Sequence, residues 1–119
     1  MIDILVVDDS AFMRKIIGDI LKTESEFNVV DTASSGEEAI EKISLLKPDV
    51  VTMDVEMPGM NGIAAVRKIM KKYSIPIIMV SAHTRKGAEK TIRALEAGAI
   101  DFIQKPGGTI SLNMNEIAQ

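Results

Sequence analysis

Residues 49–62, DVVTMDVEMPGMNG, decide the fold of this chain. They begin with an apolar run from Val50 to Met53, which is typical of a strand that is buried on both faces of a parallel sheet. The run ends on Asp54, and Pro58 and Gly59 then interrupt regular structure. Because chemistry in open parallel sheets takes place beyond the carboxyl ends of the strands, the stretch predicts a reactive carboxylate at the rim of a sheet.

Apolar runs and helical periodicities alternate along the rest of the chain. Strands alternating with helices across short connections imply a parallel sheet with right-handed crossovers. We therefore expect an α/β fold, a doubly wound five-stranded parallel sheet with helices on both faces. In the second predicted strand, residues 27–33, apolar residues alternate with polar ones, so we expect this strand at an edge of the sheet. The predicted strands are residues 4–7, 27–33, 50–53, 77–80 and about 100–104, with a helix after each of the first four.

Polar residues predict where three of the helices begin. Ser10 or Asp9 can cap the first helix. Ser35 and Glu38 have the spacing of a capping box at the start of the second. Asn61 can cap the third helix, directly after the stretch that decides the fold.

The composition is typical of one soluble globular domain. A chain of 119 residues can bury a single core, and the absence of cysteine fits a reducing compartment. A net charge of −3 argues against a dedicated nucleic-acid binder. No apolar run approaches membrane-spanning length, and Asp3 comes too early for a secretory signal. We expect a cytoplasmic protein with no nucleic-acid partner and no membrane insertion.

The positive charge is concentrated in one region. Eight of the fourteen lysines and arginines lie between Arg67 and Arg93, with only Glu89 opposing them. A solvated helix face is the favoured interpretation, by roughly two to one over a docking surface for an acidic partner.

Polar side chains follow four of the five strands, at ends that a parallel sheet brings to one rim. They are Asp8 and Asp9, Asp54, Ser81 and Lys105. Taken singly, each is more often a cap, a turn residue or a solvated side chain. Together, three carboxylates favour a hard cation such as Mg²⁺, and a carboxylate can attack a phosphoryl group to form an acyl phosphate. A hydroxyl and an ammonium can stabilise the transferred group, but the pattern leaves open which aspartate is the nucleophile.

Four motifs in the sequence resemble the receiver domain of two-component response regulators. The resemblance covers the whole chain and implies the flavodoxin- and CheY-like strand order 2-1-3-4-5. The motifs are Asp8-Asp9-Ser10, Met53-Asp54-Val55-Glu56-Met57-Pro58, Val80-Ser81-Ala82 and Lys105-Pro106.

The resemblance implies a metal site and a phosphoacceptor. Asp54 would accept the phosphoryl group. Asp9, Asp54 and the backbone carbonyl of Glu56 would hold Mg²⁺, with Asp8 assisting through water.

The resemblance also implies residues that contact the phosphoryl group and report its presence. Ser81 and Lys105 would contact it and complete the catalytic set with the phosphoacceptor. Ser81 would act as a switch together with Phe102, the aromatic residue that would turn inward on phosphorylation.

A closer resemblance is to the N-terminal regulatory domain of the chemotaxis protein-glutamate methylesterases, the CheB family. It implies phosphorylation by a CheA-type sensor histidine kinase and control of an attached C-terminal methylesterase domain in receptor adaptation. A chemoreceptor is then a further partner. The residues that carry this resemblance are 10–14 (SAFMR), 87–89 (GAE), 98–103 (GAIDFI) and 105–112 (KPGGTISL).

The esterase itself is not expected in this chain. The full-length proteins that it resembles are carboxylic ester hydrolases with a Ser-His-Asp triad. This sequence has one histidine, His83, and no Gly-x-Ser-x-Gly turn. His83 replaces an expected apolar residue, and a loop position is favoured for it over a catalytic role.

The last part of the chain predicts an incomplete element. We expect a phosphoacceptor receiver domain at residues 1–106, with residues 107–119 beginning the last helix or a linker toward an absent effector domain. Gly107 and Gly108 delay that helix, which we expect to be truncated at Gln119. A sheet face left exposed in this way predicts self-association of the chain.

Three alternatives remain at this point. The chain could be a stand-alone single-domain regulator of the CheY kind. It could be the receiver of a DNA-binding regulator, which predicts a helix-turn-helix segment downstream. A Mg²⁺-dependent phosphohydrolase would use the same acids and turn over repeatedly on small phosphate esters.

Overall fold

The structure is a computed structural model that describes residues 1–81, 98–99 and 101–104. From the first strand to the fourth, its elements alternate between strand and helix, as the sequence predicts. In chain order they are β1 (Ile2–Val7), α1 (Ala11–Leu21), β2 (Phe27–Ala33), α2 (Gly36–Leu46), β3 (Val50–Asp54), α3 (Gly62–Met70), β4 (Ile77–Ser81) and β5 (Asp101–Gln104).

The five strands form one parallel sheet in the order β2-β1-β3-β4-β5, which confirms the predicted fold class and strand order. The predicted edge position of β2 is also confirmed. In the register, Val7 pairs with Met53 and Asp54 pairs with Val80. The carboxyl ends of β1, β3 and β4 therefore lie side by side at one rim.

The core has two parts, one on each face of the sheet. The larger part joins the sheet to α2 and α3 and includes Leu5, Ile43 and Met53. The smaller part joins the sheet to α1 and includes Val6 and Ile17. Burying one such side chain stabilises the fold by about 1.5–3 kcal/mol, so packing on both faces holds the sheet between its helices.

Side-chain caps begin all three described helices at the predicted residues. Ser10, not Asp9, caps α1, and its hydroxyl accepts from the amide of Met13 at 3.2 Å. The hydroxyl of Ser35 accepts from the amide of Glu38 at 3.1 Å, and Asn61 caps α3 through the amide of Ala64 at 2.9 Å. Each such cap is worth about 1 kcal/mol.

Four strand boundaries differ from the prediction. β3 and β4 each end one residue later than predicted, at Asp54 and Ser81. β1 begins at Ile2, two residues early, because the amide of Asp3 donates to Asp49 Oδ2 at 2.8 Å and the strand pairs with β2 from its first residue. β5 begins at Asp101. The predicted fourth helix and the tail from residue 105, including the expected truncated helix, lie outside the described residues. Among the described helices, none has both the length and the apolar character to cross a membrane.

Candidate functional site

Three carboxylates meet at the carboxyl rim of the sheet. Asp8 and Asp9 follow β1 and Asp54 ends β3, and one oxygen from each lies within 4.8 Å of the others. Asp8 and Asp54 are 1% and 2% exposed, whereas Asp9 is exposed. Two buried acids and one solvent-facing acid thus surround a single point at the sheet edge.

The backbone that follows β1 fixes the side chain of Asp8. The amide of Asp8 donates to the carbonyl of Ala33 at 3.0 Å, which extends the contact of β1 with β2 beyond the last paired strand residue. The amide of Ser10 then donates to Asp8 Oδ1 at 2.9 Å. This hydrogen bond stabilises the turn into α1. It also fixes the orientation of the Asp8 carboxylate at the rim.

The side chain of Asp54 is oriented in the same way by the turn that follows β3. The amide of Val55 donates to the carbonyl of Val80 at 3.0 Å, so the backbone still follows β4 after Asp54. The amide of Glu56 donates to Asp54 Oδ1 at 3.3 Å. Both buried carboxylates thus accept from the amide two residues ahead, which is the geometry of an Asx turn.

Arg14 is a neighbour of the site that sequence reasoning missed. Its Nη1 donates to the backbone carbonyl of Asp8 at 2.7 Å, and the side chain is half-buried. The bond joins the first turn of α1 to the turn that carries Asp8. A spacing of six residues between donor and acceptor has no helical or strand periodicity, so no pattern in the sequence signals this contact.

The donor set fits a hard divalent cation. Like charges this close repel, and carboxylates that are almost fully buried are stable as anions only with compensating positive charge or hydrogen bonds. Mg²⁺ favours one or two carboxylates with water and phosphate oxygens. The exposed Asp9 leaves one side of the cluster open to water and to a phosphoryl group. Asp8, Asp9 and Asp54 are therefore the described residues that can hold such an ion.

Three of the other predicted site residues, Glu56, Ser81 and Phe102, lie in the described part of the chain. Glu56 follows Asp54 with its side chain exposed, so its contribution would come from the backbone, as the sequence resemblance implies. Ser81 ends β4 at the same rim, and Phe102 lies in β5 opposite Met79. Lys105 and His83 lie outside the described residues. The structure thus brings together the three acids and the backbone of the Ser81 position.

A comparison with protein families finds one matching model. The model, described as response regulator receiver domain, matches residues 4–114.

Curated proteins similar to the chain carry the name protein-glutamate methylesterase/protein-glutamine glutaminase. The one from Bacillus subtilis is 59% identical over 119 residues, covering 100% of the chain and 33% of the relative. The one from Pyrococcus abyssi is 60% identical over 116 residues, covering 98% and 32%. The chain thus spans about a third of the length of the curated relatives it matches.

Solved structures with the same fold include receivers of the chemotaxis system. The response regulator domain of Thermotoga maritima CheB has a TM-score of 0.88 and 53% identity, covering 99% of this chain and 88% of that one. A Borrelia burgdorferi CheY in a complex with CheX, BeF3 and Mg²⁺ has a TM-score of 0.81 and 33% identity, covering 98% and 87%. A CheY in complex with a CheA P1 domain from R. sphaeroides has a TM-score of 0.78 and 35% identity, covering 92% and 86%.

Proposed function

The chain belongs to the family of response regulator receiver domains and is a receiver of the CheB type, and on that premise we propose that Asp54 accepts a phosphoryl group in a Mg²⁺-dependent reaction. The observation that carries the proposal is the convergence of Asp8, Asp9 and Asp54 at the rim. Receiver domains generally bind Mg²⁺ at an acidic cluster of this kind. Bound there, the ion would supply positive charge to the oxygens of the phosphoryl group.

Asp54 is the acid best placed for nucleophilic attack. It ends the central strand β3, between the strands that carry Asp8 and Ser81. The amide of Glu56 holds Oδ1 and thereby orients the carboxylate. A carboxylate oxygen of Asp54 would form the new O–P bond while the bond from phosphorus to its donor breaks, and the donor group takes up a proton. The exposed Asp9 is left to bind metal at the open side of the cluster.

The other catalytic roles follow from the family resemblance and from chain position. The hydroxyl of Ser81 would donate to a phosphoryl oxygen, and the ammonium of Lys105 would neutralise part of the added charge. Ser81 and Phe102 would form the switch, because Ser81 ends β4 at the phosphoryl group and Phe102 lies on the neighbouring strand β5. Phosphorylation would shift the equilibrium between two arrangements of these residues.

The similar proteins support two partners, a histidine kinase and an attached methylesterase domain. A CheA-type histidine kinase would donate the phosphoryl group, which is supported by the similar CheY structure solved with a CheA P1 domain. Residues 1–106 would form the receiver, and residues 107–119 would lead toward a methylesterase domain like that of the longer relatives. The identity of 53% to a CheB receiver, against 33% and 35% to the CheY structures, favours this effector over the stand-alone alternative.

Intact mass after incubation with Mg²⁺ and acetyl phosphate tests the proposal. We expect a single phosphoryl adduct that is lost in base, and no adduct on Asp54→Asn. The matched control is Asp31→Asn, which removes an aspartate from β2 away from the acidic cluster and is expected to leave the adduct unchanged. An adduct that persists on Asp54→Asn, or that forms equally without Mg²⁺, would contradict the assignment of the phosphoacceptor or of the metal.

A further inference from the structure

Asn61 and Gly62, the cap and the first residue of α3, form the single Asn-Gly pair of the sequence. An asparagine before glycine is chemically reactive. The main-chain nitrogen of the next residue can attack the side-chain amide carbon, and glycine has no side chain to hinder the approach. The other asparagines, Asn28, Asn113 and Asn115, precede valine, methionine and glutamate. The loop that follows Asp54 thus ends on the asparagine best suited to this reaction.

The fold accounts for both members of this pair. A side chain at position 62 would overlap the carbonyl oxygen of Asp54, so glycine is the residue that fits there. Position 61 caps α3, since Asn61 Oδ1 accepts from the amide of Ala64 at 2.9 Å and satisfies a free amide of the first turn. Serine, threonine and aspartate also cap helices, but among these side chains only asparagine carries an amide that can be lost as ammonia. The reactive pair therefore arises from the way the loop closes on Asp54.

The native contacts keep the two reacting groups apart. The amide of Gly62 donates to the carbonyl of Val55 at 2.9 Å, so the attacking nitrogen is engaged in a hydrogen bond. The bond from Ala64 holds the side chain of Asn61 against the first turn of α3. The backbone at Asn61 is extended, with a ψ of 165°, whereas ring closure needs the Gly62 nitrogen to eclipse Cβ about the Cα–C bond. Attack therefore requires both hydrogen bonds to break and the start of α3 to open.

Two methionines anchor the loop that would have to open. Met57 is 7% exposed and belongs to the larger core. Met60 packs on the same core, and its Sδ lies 3.0 Å from the point that a Cβ at Gly36 would occupy. Pro58 and Gly59, which lie between the two methionines, are exposed. Opening of this loop therefore exposes two apolar side chains and is a local event with its own free energy.

We propose that Asn61 is a site of spontaneous deamidation, and that the reaction takes place only when the loop from Val55 to Asn61 opens. The nitrogen of Gly62 forms a bond to Cγ of Asn61, and the bond from Cγ to the side-chain nitrogen breaks. The proton of the Gly62 amide leaves with that nitrogen as ammonia. Water then hydrolyses the cyclic imide. The reaction needs no other reagent, so its rate is set by the fraction of molecules in which the loop is open.

Hydrolysis of the imide gives two products with different structural consequences. Breaking the bond from the Gly62 nitrogen to Cγ leaves aspartate at position 61, which caps a helix as well as asparagine does and suits the helix dipole. Breaking the bond to the main-chain carbonyl carbon leaves isoaspartate, which adds a methylene group to the main chain. Because Gly62 sits directly on the carbonyl of Asp54, this added group displaces the main chain of Asp54. On the function proposed above, the isoaspartyl form would lose the geometry of its phosphoacceptor.

Peptide mass spectrometry of the complete 119-residue chain, aged in mildly alkaline buffer with and without urea, tests the proposal. In urea, deamidation should be fastest at Asn61, and Asn61→Ser, which keeps a capping side chain, should lose that signal. The folded chain should deamidate at Asn61 at least about tenfold more slowly than the unfolded chain, which corresponds to a closed loop favoured by about 1.4 kcal/mol. Equal rates in the two states, or faster reaction at another asparagine in urea, would overturn the proposal.

Two matched methionine variants distinguish opening of the loop from unfolding of the whole domain. Met57→Ala removes a buried anchor of the loop and should speed deamidation of the folded chain about tenfold, equivalent to about 1.4 kcal/mol of loop stability. Met13→Ala removes a half-buried methionine from the smaller core and should leave the rate unchanged. Each rate is divided by the rate of the same variant in urea, which corrects for intrinsic reactivity. Equal acceleration in both variants would assign the reaction to global unfolding and overturn control by the loop.

The isoaspartyl form tests the consequence for Asp54 without reference to phosphorylation. Asn61→Asp is its matched control, because the two chains have the same composition and charge and differ only in the main-chain linkage to Gly62. We expect the isoaspartyl form, purified by chromatography, to unfold at a lower urea concentration than Asn61→Asp. Equal unfolding midpoints would show that the added methylene group is accommodated, and would overturn the displacement of Asp54.

Discussion

Gly62, the first residue of α3, packs against the backbone carbonyl of Asp54, and a side chain at position 62 would overlap that carbonyl oxygen. The amide of Gly62 also donates to the carbonyl of Val55 at 2.9 Å. These contacts close the loop that leaves β3 and returns into α3. The position of the Asp54 carboxylate therefore depends on a residue eight positions later that has no side chain.

Gly62→Ala is expected to destabilise the fold by about 1–3 kcal/mol, because the overlap is with main chain that cannot move without shifting Asp54. Gly18→Ala is the matched control. A Cβ at position 18 would meet nothing within 4 Å, and alanine in a helix interior should stabilise by about 0.5–1 kcal/mol. Urea denaturation of both variants measures the difference. Equal effects of the two substitutions would contradict the close approach at Gly62.

Asp54→Asn should abolish stabilisation by Mg²⁺. An ion that binds the folded state alone adds about 2.7 kcal/mol at a hundred times its dissociation constant, and the cluster loses one of its two buried carboxylates in the variant. Thermal melts with and without Mg²⁺ measure the effect. A parent whose melting temperature does not respond to Mg²⁺ would remove the metal from the proposal.

Arg14→Ala should reduce stability by about 1–2 kcal/mol, because the buried carbonyl of Asp8 loses a charged donor at 2.7 Å. We also expect weaker Mg²⁺ binding, since the turn that carries Asp8 is no longer joined to α1. Calorimetric titration with Mg²⁺ and urea denaturation measure the two effects. Lys15→Ala is the control, because Lys15 is exposed and its pair with Asp19 is on the surface. Loss of the same size in the control would contradict a specific role for the bond to Asp8, because alanine is the better helix former at both positions and helix propensity would not cause a loss.

Much of the fold follows from the sequence because local and global signals agree. The run from Val50 to Met53 is typical of a strand buried on both faces of a sheet, and similar apolar runs recur at β1 and β4. Ser10, Ser35 and Asn61 mark helix starts by chemistry that acts within three residues. The convergence of the three acids then follows from parallel strands that end at one rim.

The features that could not be predicted depend on contacts distant in sequence or on main chain. The register between β1 and β2 shifts between Ile4 and Leu5, although both strands read as regular. Glu38 Oε1 accepts from the amide of Ser34, one residue before the cap that the capping-box pattern implies. The bond of Arg14 to Asp8 and the role of Gly62 also lack any periodic signal, because each depends on the path of a turn.

The pair formed by Asp31 and Lys42 stabilises the exposed edge of the sheet. Lys42 Nζ lies 3.0 Å from Asp31 Oδ2 and donates to the carbonyl of Thr32 at 2.6 Å, which occupies an acceptor on the edge strand β2. The hydrogen bond from Lys42, together with the amide of Thr32, lowers the pKa of Asp31 below its usual 3.8. The hydrogen bond to Asp31 likewise raises the pKa of Lys42 above 10.5.

The directions of these shifts predict how stability depends on pH. The contribution of Asp31 is present above pH 3.8 and is lost as the pH falls through its lowered pKa in the folded state. The contribution of Lys42 is present below pH 10.5 and is lost as the pH rises through its raised pKa. The side chains are 44% and 27% exposed, so solvent screening limits the pair to less than about 1 kcal/mol.

Lys42→Met tests the pair because it keeps the length of the side chain and removes the charge. We expect the variant to lose less than about 1 kcal/mol at neutral pH and to show a shallower loss of stability than the parent below pH 3.8. Urea denaturation at neutral pH and at about pH 3 measures the difference. Lys15→Met is the control, since its partner Asp19 lies on the helix surface away from the edge strand. Parallel pH profiles for the parent and Lys42→Met would show that Asp31 is not coupled to Lys42, and the bond from Lys42 to Thr32 would then be its only contribution to the edge.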